Sequence, residues 1–523
     1  MNTSHANTEL HNEIAPLKAI IKEQALTISK MAELIKYYES QLLALKRRQF
    51  GVSSEKTPPD IRQMTLYGEI TAMEVPEPEP ETEQIVYKRK KRKGKREEDL
   101  SGLPVERIEY KLPEEERNCP ECGEVMADIG TDTRRELKLI PAKVVVVEHA
   151  AHSYACKNCQ ENSDSTPIVK AETPKPLISG SLASASLVAY IVAQKYSNCI
   201  PLYRIEKGFL YEGVVISRQT MANWVIKCAT LYFFALYGLL KKFLLLETLL
   251  HSDDTGHQIL REPGRKPQTK SCEWVYRTSG YSNHAIVFFE YKETRSQVHP
   301  QAFLNDFEGY LHVDGYQAYH NLPEAITIVG CWQHARSYWE KMVKAMPESK
   351  RAGSDALRGF NYINSLFDLE RKFNDLNSEE RFRQRLERSK PIADAFFAWV
   401  EKLGALPKSP LGVASHYALS QRKYLENVFL DGRLELSNNR CERSVKSFVM
   451  GRKNWLFASS TEGAFASSIM YTLIETAKEN GLNPFQYLKY LLEVLPSANT
   501  SDLESCLPWS NTLPDYCRVP VKS

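Results

Sequence analysis

The chain has 523 residues, room for roughly three to four domains at about 150 residues each. With 42% hydrophobic and 25% charged residues it has a globular composition, which excludes wholesale disorder and a collagen-like fibre. Net charge is only +3, from 68 basic and 65 acidic residues, so any polyanion-binding surface must come from how the charge is distributed.

The longest apolar stretch, 229–240, stops at Lys241 and Lys242, short of the roughly 18 to 20 residues a membrane span needs. The first residues lack the basic start and apolar core of a signal peptide. The expectation is a soluble, cytoplasmic protein with no membrane contact. Eleven cysteines are too few for a disulfide scaffold of this length, and four of them form two Cys-x-x-Cys pairs. In a cytosolic chain that pattern points to metal binding and reduced thiols.

Residues 1–50 hold a heptad. Ile14, Ile21, Ile28, Ile35 and Leu42 recur every seven residues, with Met31, Tyr38 and Leu45 three further on. Lys22, Glu23, Lys36 and Glu39 lie off that seam, although Gln24 within it and Pro16 in its first turn weaken the pattern. β-Branched residues at one seam position favour a two-stranded parallel coiled coil, so the expectation is a homodimer or larger assembly; the alternative is one amphipathic helix packed on its own chain. Residues 51–100 read as a linker, with alternating Pro and Glu over 75–83 that cannot bury apolar surface. It ends in the basic run Lys88, Arg89, Lys90, Lys91, Arg92, Lys93, Lys95 and Arg96. Such a run suits DNA phosphates, binding them without sequence preference and with strong salt dependence. Alternatively it is a solvated tether.

Within 101–170, Cys119 and Cys122 form one knuckle and Cys156 and Cys159 another, separated by 33 residues. Strand-like runs at 136–140 and 143–149 lie between them, as in a zinc ribbon. Four thiolates close a tetrahedron, so the zinc would be structural. Over 171–246 the chain is helical: 182–195, then 202–211 ending at Gly213, then 218–228 after Ser217. Arg218, Gln219 and Asn223 near the start of the third helix fit a DNA-reading helix-turn-helix, or equally plain helical packing.

From 247 the pattern turns to strands: 247–252 leading into Asp253 and Asp254, then 273–278 and 284–291. A helix over 298–307 follows, then a strand at 309–313 ending in Asp314, and another at 325–329 before the chain turns helical at Cys331. This β-β-β-α-β-α order over 247–349 is that of a ribonuclease-H-like core, in which the first and fourth strands lie side by side and their acids can share a metal. A third acid is expected from a later helix, within 431–480. Glu442 sits there, with Asn438 and Lys446 four residues to either side on one helical face. Three carboxylates suit two magnesium ions clamping the attacking and leaving oxygens of a phosphodiester. The 127 residues between Asp314 and Glu442 exceed what the core needs, so 350–430 is read as a helical insertion. The end, 481–523, is read as a C-terminal tail, extended and hugging the surface over its proline-bearing part, 490–523.

Several motifs together resemble the large transposase of the insertion-sequence-sixty-six family, a DDE transposase of bacterial mobile elements. They are KRRQFGVSSEK (46–56), the two knuckles, KYSNCIPLYRIE (195–206), SDDTG (252–256), DGYQAY (314–319), GCWQHARSYW (330–339), SNNRCERSVKSFVMGRKNWLFASS (437–460) and ETAKENGLNPFQYL (475–488). The resemblance runs nearly end to end. It implies that Asp253, Asp314 and Glu442 are the catalytic, magnesium-binding triad, with Asp253 favoured over Asp254 because the family keeps the aspartate that follows a small residue. Gly256 and Cys441 stand where the family often has proline and alanine, and neither position is a ligand.

The matched segments also put His334 and Arg336 in reach of DNA or the scissile phosphate, unless both are structural donors. Arg452, Lys453 and Trp455 are read as a phosphate clamp with a stacking aromatic, unless Trp455 is core. The expected architecture is therefore multidomain α/β: a ribonuclease-H-like core with a helical insertion, preceded by coiled coil, zinc ribbon and helix-turn-helix-like region. The expected function is binding of element terminal inverted repeats and target DNA, followed by strand cleavage and strand transfer. Nucleoid association and small accessory proteins of the same element come with the resemblance. Two rivals are a dimeric zinc-dependent DNA-binding regulator with an inactive core, and a nuclease that cuts without joining.

Overall fold

In a computed structural model of the chain, residues 143–155, 168–498 and 500–520 are described. The coiled-coil segment, the linker with its basic run, and all four knuckle cysteines lie outside them. The chain divides into two compact units, the larger holding 176–205 and 218–517, the smaller holding 76–175, 206–217 and 518–523.

In the smaller unit, β1 (Ser153–Ala155) pairs antiparallel with β2 (Ile168–Lys170). The strand expected at 143–149 is not there: 143–150 carries no regular structure and every residue is exposed, Val146 at 88%. β-Branched residues make a strand only where a ladder partner and a covered face exist, and among the described residues this run has neither.

The larger unit begins with α1 (Ala185–Val192), capped by Ser184 and continued by a π-turn to Ser197. α2 (Leu202–Tyr211) follows. Gly213 takes φ +75°, and its N–H bonds Leu210 O while Val214 N bonds Phe209 O, so the glycine closes α2. α3 (Arg218–Cys228) runs on through a π-turn into α4 (Phe234–Leu245). By length and composition alone this 28-residue helical run would span a membrane. Its Leu236, Leu240 and Leu244 are fully buried, and Tyr237 stacks on Phe288 at 4.2 Å and donates to Phe289 O at 2.7 Å. That is the packing of a core helix.

The sheet has six strands. β3 (Leu249–Arg261), β4 (Lys270–Thr278) and β5 (Val287–Lys292) form an antiparallel meander. After α5 (Val298–Phe303), β6 (Gly309–Val313) returns to pair parallel with β3, and β7 (Ile326–Gly330) pairs parallel with β6. The order is β5-β4-β3-β6-β7, so the first and fourth strands are neighbours, as the sequence suggests. β4 is buried along eight of its nine residues, so both sheet faces are covered.

α6 (Trp332–Ala345) leaves β7 and enters the helical insertion. Here α7 (Asp355–Lys372), α8 (Ser378–Gln384), α9 (Lys390–Glu401) and α10 (Pro410–Leu425) follow. Their starts are written in the sequence: Ser354, Asn377 and Ser409 each cap a first turn with a side-chain oxygen. One core joins the insertion to the sheet, with Trp332, Trp339, Phe396 and Phe397 packed against Leu249 and Val329. Arg385 is 1% exposed; it pairs with Glu370 and donates to the carbonyls of Asp431 (3.1 Å) and Leu434 (2.6 Å). The insertion thereby holds the segment that carries the next helix.

That helix is α11 (Asn439–Trp455), followed by β8 (Ala458–Ser460), which pairs with the far end of β3, and α12 (Thr461–Glu479). α12 covers the edge strand: Thr476 and Thr472 accept the N–H groups of Val287 (3.1 Å) and Phe289 (2.9 Å) that would otherwise invite another strand. α13 (Pro484–Val494) follows, and in place of the expected extended tail come short 3-10 turns that bury Cys506, Leu507, Leu513 and Cys517. Pro484 sits in the first turn of α13 behind an Asn483 cap, where a missing N–H costs nothing.

Candidate active site

Strand alternation on β3 sorts the acids before any other consideration. His251 Nδ1 lies 3.0 Å from Asn438 Oδ1, Thr255 Oγ1 accepts from Arg452 Nη1 at 3.0 Å, and His257 packs edge-on to Phe448. The odd-numbered side chains therefore face α11. On the other side Ser252 bonds Tyr319 at 3.0 Å, and Asp254 is gripped by Arg295 through Nε (2.6 Å) and Nη2 (2.7 Å). Cys272 Sγ also donates to Asp254 at 3.4 Å. Asp253 is on the α11 face, and Asp254 is already neutralised.

Parallel pairing brings the second acid alongside. His251 and His312 form a rung between β3 and β6, their rings stacked at 5.0 Å, and Asp253 and Asp314 each stand two residues beyond it. Asp314 accepts the Tyr316 N–H at 2.9 Å in a turn that fixes its carboxylate. Glu442 sits in the first turn of α11, and Asn438 positions that turn. Asn438 is fully buried and donates to Ser252 O at 2.8 Å, while its own N–H meets Cys331 Sγ at 3.2 Å. Burial, with the charges of Asp314, Asp254 and Glu442, pushes the Asp253 carboxyl well above the usual range, against one opposing hydrogen bond from Asp254 N–H. Asp253, Asp314 and Glu442 are thus within electrostatic reach of one another. Their donor set is all carboxylate oxygen, which fits magnesium, and a divalent cation is what would relieve the crowded charge.

His334 lies beside the third acid, Nδ1 to Glu442 Oε1 at 3.6 Å. Burial disfavours its charge, yet Cys331, Glu442 and Asp314 outweigh burial and raise it to about 10. Arg336 is elsewhere. It is 8% exposed, bonds Asn364 at 2.6 Å, pairs with Glu340 and lies over the Phe360 ring, so the expected DNA contact is corrected to a tie between α6 and α7. Residues two apart on a helix point to nearly opposite sides, which is why His334 and Arg336 part company.

Trp455 also departs from expectation as a stacking platform. Lys195 Nζ covers its ring at 3.8 Å, Tyr196 meets it edge-on, and a side chain at Gly451 would strike it. Arg452 is tied to Thr255 and the Gly256 carbonyl, while Lys453 is exposed. Arg218, Gln219 and Asn223 are exposed on α3, and Gln219 donates to Asn223 at 3.3 Å.

Four participants are absent from the sequence reading: Arg295, the His251–His312 pair, Cys331 as a neighbour of Glu442, and Tyr417. The Tyr417 ring, on α10, would collide with any side chain at Gly315, next to Asp314. Only Cys331 carried a local signal, the Cys-x-x-His spacing to His334.

Family models match most of the chain. One described as Transposase IS66 family covers 180–466, another, zinc-finger binding domain of transposase IS66, covers 116–160 and so encloses all four knuckle cysteines. The IS66 C-terminal element matches 472–509, and Transposase C of IS166 homeodomain matches 37–108. Among curated relatives, the uncharacterized protein y4qI of Sinorhizobium fredii is 29% identical over 96% of this chain and 92% of its own. A second from that organism, y4jD, is 29% identical over 79% of this chain and 82% of its own. The chain belongs to the IS66 family of transposases.

Proposed function

We propose that the chain is a DDE transposase that cleaves DNA at the ends of its element and joins the freed 3′-hydroxyl to target DNA, on a ribonuclease-H-like core. The observation that carries this reading is the convergence of Asp253, Asp314 and Glu442 from β3, the end of β6 and α11. Bound to these acids, magnesium would activate the attacking oxygen and stabilise the leaving one.

The rest falls to the protein's own side chains. β3 and β6 hold two acids rigidly in register, and Asn438 fixes the helix that presents the third. Arg295 neutralises Asp254, so that one aspartate of the adjacent pair is left for the cation. His334, charged beside Glu442, is placed to meet a phosphate. Lys453 and the exposed Arg218, Gln219 and Asn223 supply contacts to DNA, and the basic run at 88–96 adds salt-sensitive affinity. The coiled coil would pair two subunits on two ends, and zinc held by Cys119, Cys122, Cys156 and Cys159 would order the ribbon. Accessory proteins of the same element belong to this reading too.

The test uses full-length protein, magnesium and labelled DNA bearing the element ends. Asp253→Asn, Asp314→Asn and Glu442→Gln should each bind DNA but lose cleavage and joining. Binding without cleavage by the wild type, with accessory proteins supplied, would favour the regulator; cleavage without joining would favour the nuclease.

A further inference from the structure

We infer that Cys331 and His334, with Glu442 shared from the acid triad, form a second site for a soft or borderline divalent cation, with zinc the best match. One ligand atom from each lies within 4.8 Å of the others. Zinc bonds of about 2.0 to 2.3 Å would bring tetrahedral ligand atoms to about 3.3 to 3.8 Å apart, a closure within the reach of side-chain rotation. Sulfur, imidazole and carboxylate together make a set that magnesium avoids and zinc accepts. Three protein ligands leave a fourth position for water, so this is not the closed arrangement of a structural site.

The site is built rather than incidental. Cys331 is 1% exposed at the start of α6, and His334 follows one helical turn later, so sulfur and imidazole share one face. Two backbone contacts hold α6 against the segment leading into α11: Trp332 N donates to Leu436 O at 2.8 Å, and Asn438 N points at Cys331 Sγ at 3.2 Å. Glu442 is one turn beyond that anchor. His334 Nδ1 is buried and makes no hydrogen bond among the described residues, while standing 3.6 Å from Glu442. Zinc would take the place of the proton that Cys331 and Glu442 otherwise favour on this ring, so binding would release it.

The site itself stands on this geometry. One consequence rests on the proposed function: with one Glu442 oxygen on zinc, only the other is left for magnesium, so zinc here would weaken magnesium binding and magnesium would weaken zinc binding by the same factor.

Zinc stoichiometry of the DNA-free, full-length protein tests the site without any activity assay. After equilibrium dialysis against micromolar zinc, the wild type should hold one more equivalent than Cys331→Ser and His334→Asn, the knuckle zinc being common to all three. Cobalt-loaded wild type should show a thiolate charge-transfer band component that Cys331→Ser lacks. Should the serine variant fail to fold, His334→Asn decides, because its side chain is partly exposed. Equal zinc content in all three proteins overturns the site. Millimolar magnesium should weaken zinc retention in the wild type at least about tenfold and have no such effect in Glu442→Gln. Zinc retention indifferent to magnesium overturns the competition at Glu442, and neither result depends on whether the protein cleaves DNA.

Discussion

Arg295 holds Asp254 in a two-pronged ion pair, Nε to Oδ2 at 2.6 Å and Nη2 to Oδ1 at 2.7 Å, while its guanidinium lies 3.6 Å over the Tyr316 ring. Tyr316 in turn donates to the Arg295 carbonyl at 2.8 Å. Because Tyr316 also makes the turn that orients Asp314, this pair links the spare aspartate of β3 to the second acid of the site.

The division of labour between the two adjacent aspartates is therefore measurable. Asp253→Asn should lose end cleavage by about a thousandfold or more, the scale of several kcal/mol of lost charge stabilisation, whereas Asp254→Asn should stay within about tenfold. Asp253→Asn should also melt higher than the wild type in magnesium-free buffer, since it removes a carboxylate whose charge is opposed by burial and three neighbours. Arg295→Ala should cost about 1 to 2 kcal/mol in denaturant unfolding; the Arg295 side chain is 48% exposed, which discounts the full cost of stranding a buried Asp254. A lower melting point for metal-free Asp253→Asn would contradict the crowding.

Asn438 ties the first turn of α11 to β3 with every polar atom of its amide engaged across the gap. Asn438→Ala leaves Ser252 O and His251 without that partner in a fully buried place, and should cost about 2 to 3 kcal/mol in urea unfolding. Asn438→Asp keeps the acceptor toward His251 but cannot donate to Ser252, so it should show an intermediate loss. Unfolding curves that superimpose on the wild type would remove Asn438 from the set of positioning residues.

How far the sequence carries depends on whether an interaction is local. Gly309–Val313 is a strand with the bounds its pattern gives, because a short buried run between turns reads the same in sequence and in space. Leu202–Tyr211 and Arg218–Cys228 are likewise bounded by Gly213 and Ser217. The prolines of 496–520 mislead for a physical reason: they bar a long helix or a sheet but not short 3-10 turns, and Cys506 and Leu513 among them are buried. Arg295 and Tyr417 are invisible because their partners lie 41 residues away on another strand and about a hundred residues away beside Gly315, where no spacing rule reaches. Arg336 was legible as a motif residue but not as a side chain, since helical phase places it opposite His334.

Lys195 gives a pH signature remote from the acids. It is half-buried with its ammonium over Trp455 and Tyr196, and burial lowers it to about 7, with Cys199 offsetting only part of the loss. Below about pH 7 the amine is charged in folded and unfolded chains alike. Between there and the ordinary lysine value near 10.4 only the unfolded chain keeps the proton, so the Lys195 contribution to stability rises with pH across that window. Lys195→Met should therefore be more favourable relative to the wild type at pH 6 than at pH 9.5, by about 1 kcal/mol or more in paired urea titrations. A difference that does not change with pH would place the ammonium in solvent.

Arg336 and Lys453 separate a structural cation from a DNA-facing one. Arg336 bonds Asn364 and Glu340 and covers Phe360 from inside the α6–α7 contact, so Arg336→Ala should cost about 1 to 3 kcal/mol of stability. Each lysine or arginine that meets a phosphate contributes about 0.9 to the slope of log affinity against log salt on duplex DNA. Arg336→Ala should leave that slope unchanged wherever the protein remains folded. Lys453→Ala, at an exposed position in the last turn of α11, should keep wild-type stability within about 0.5 kcal/mol and flatten the slope by about one. Fluorescence anisotropy on end DNA between low and moderate salt, run beside unfolding curves of the same preparations, reads both quantities. A flattened slope in Arg336→Ala would return that side chain to the DNA interface and require the α6–α7 contact to open on binding.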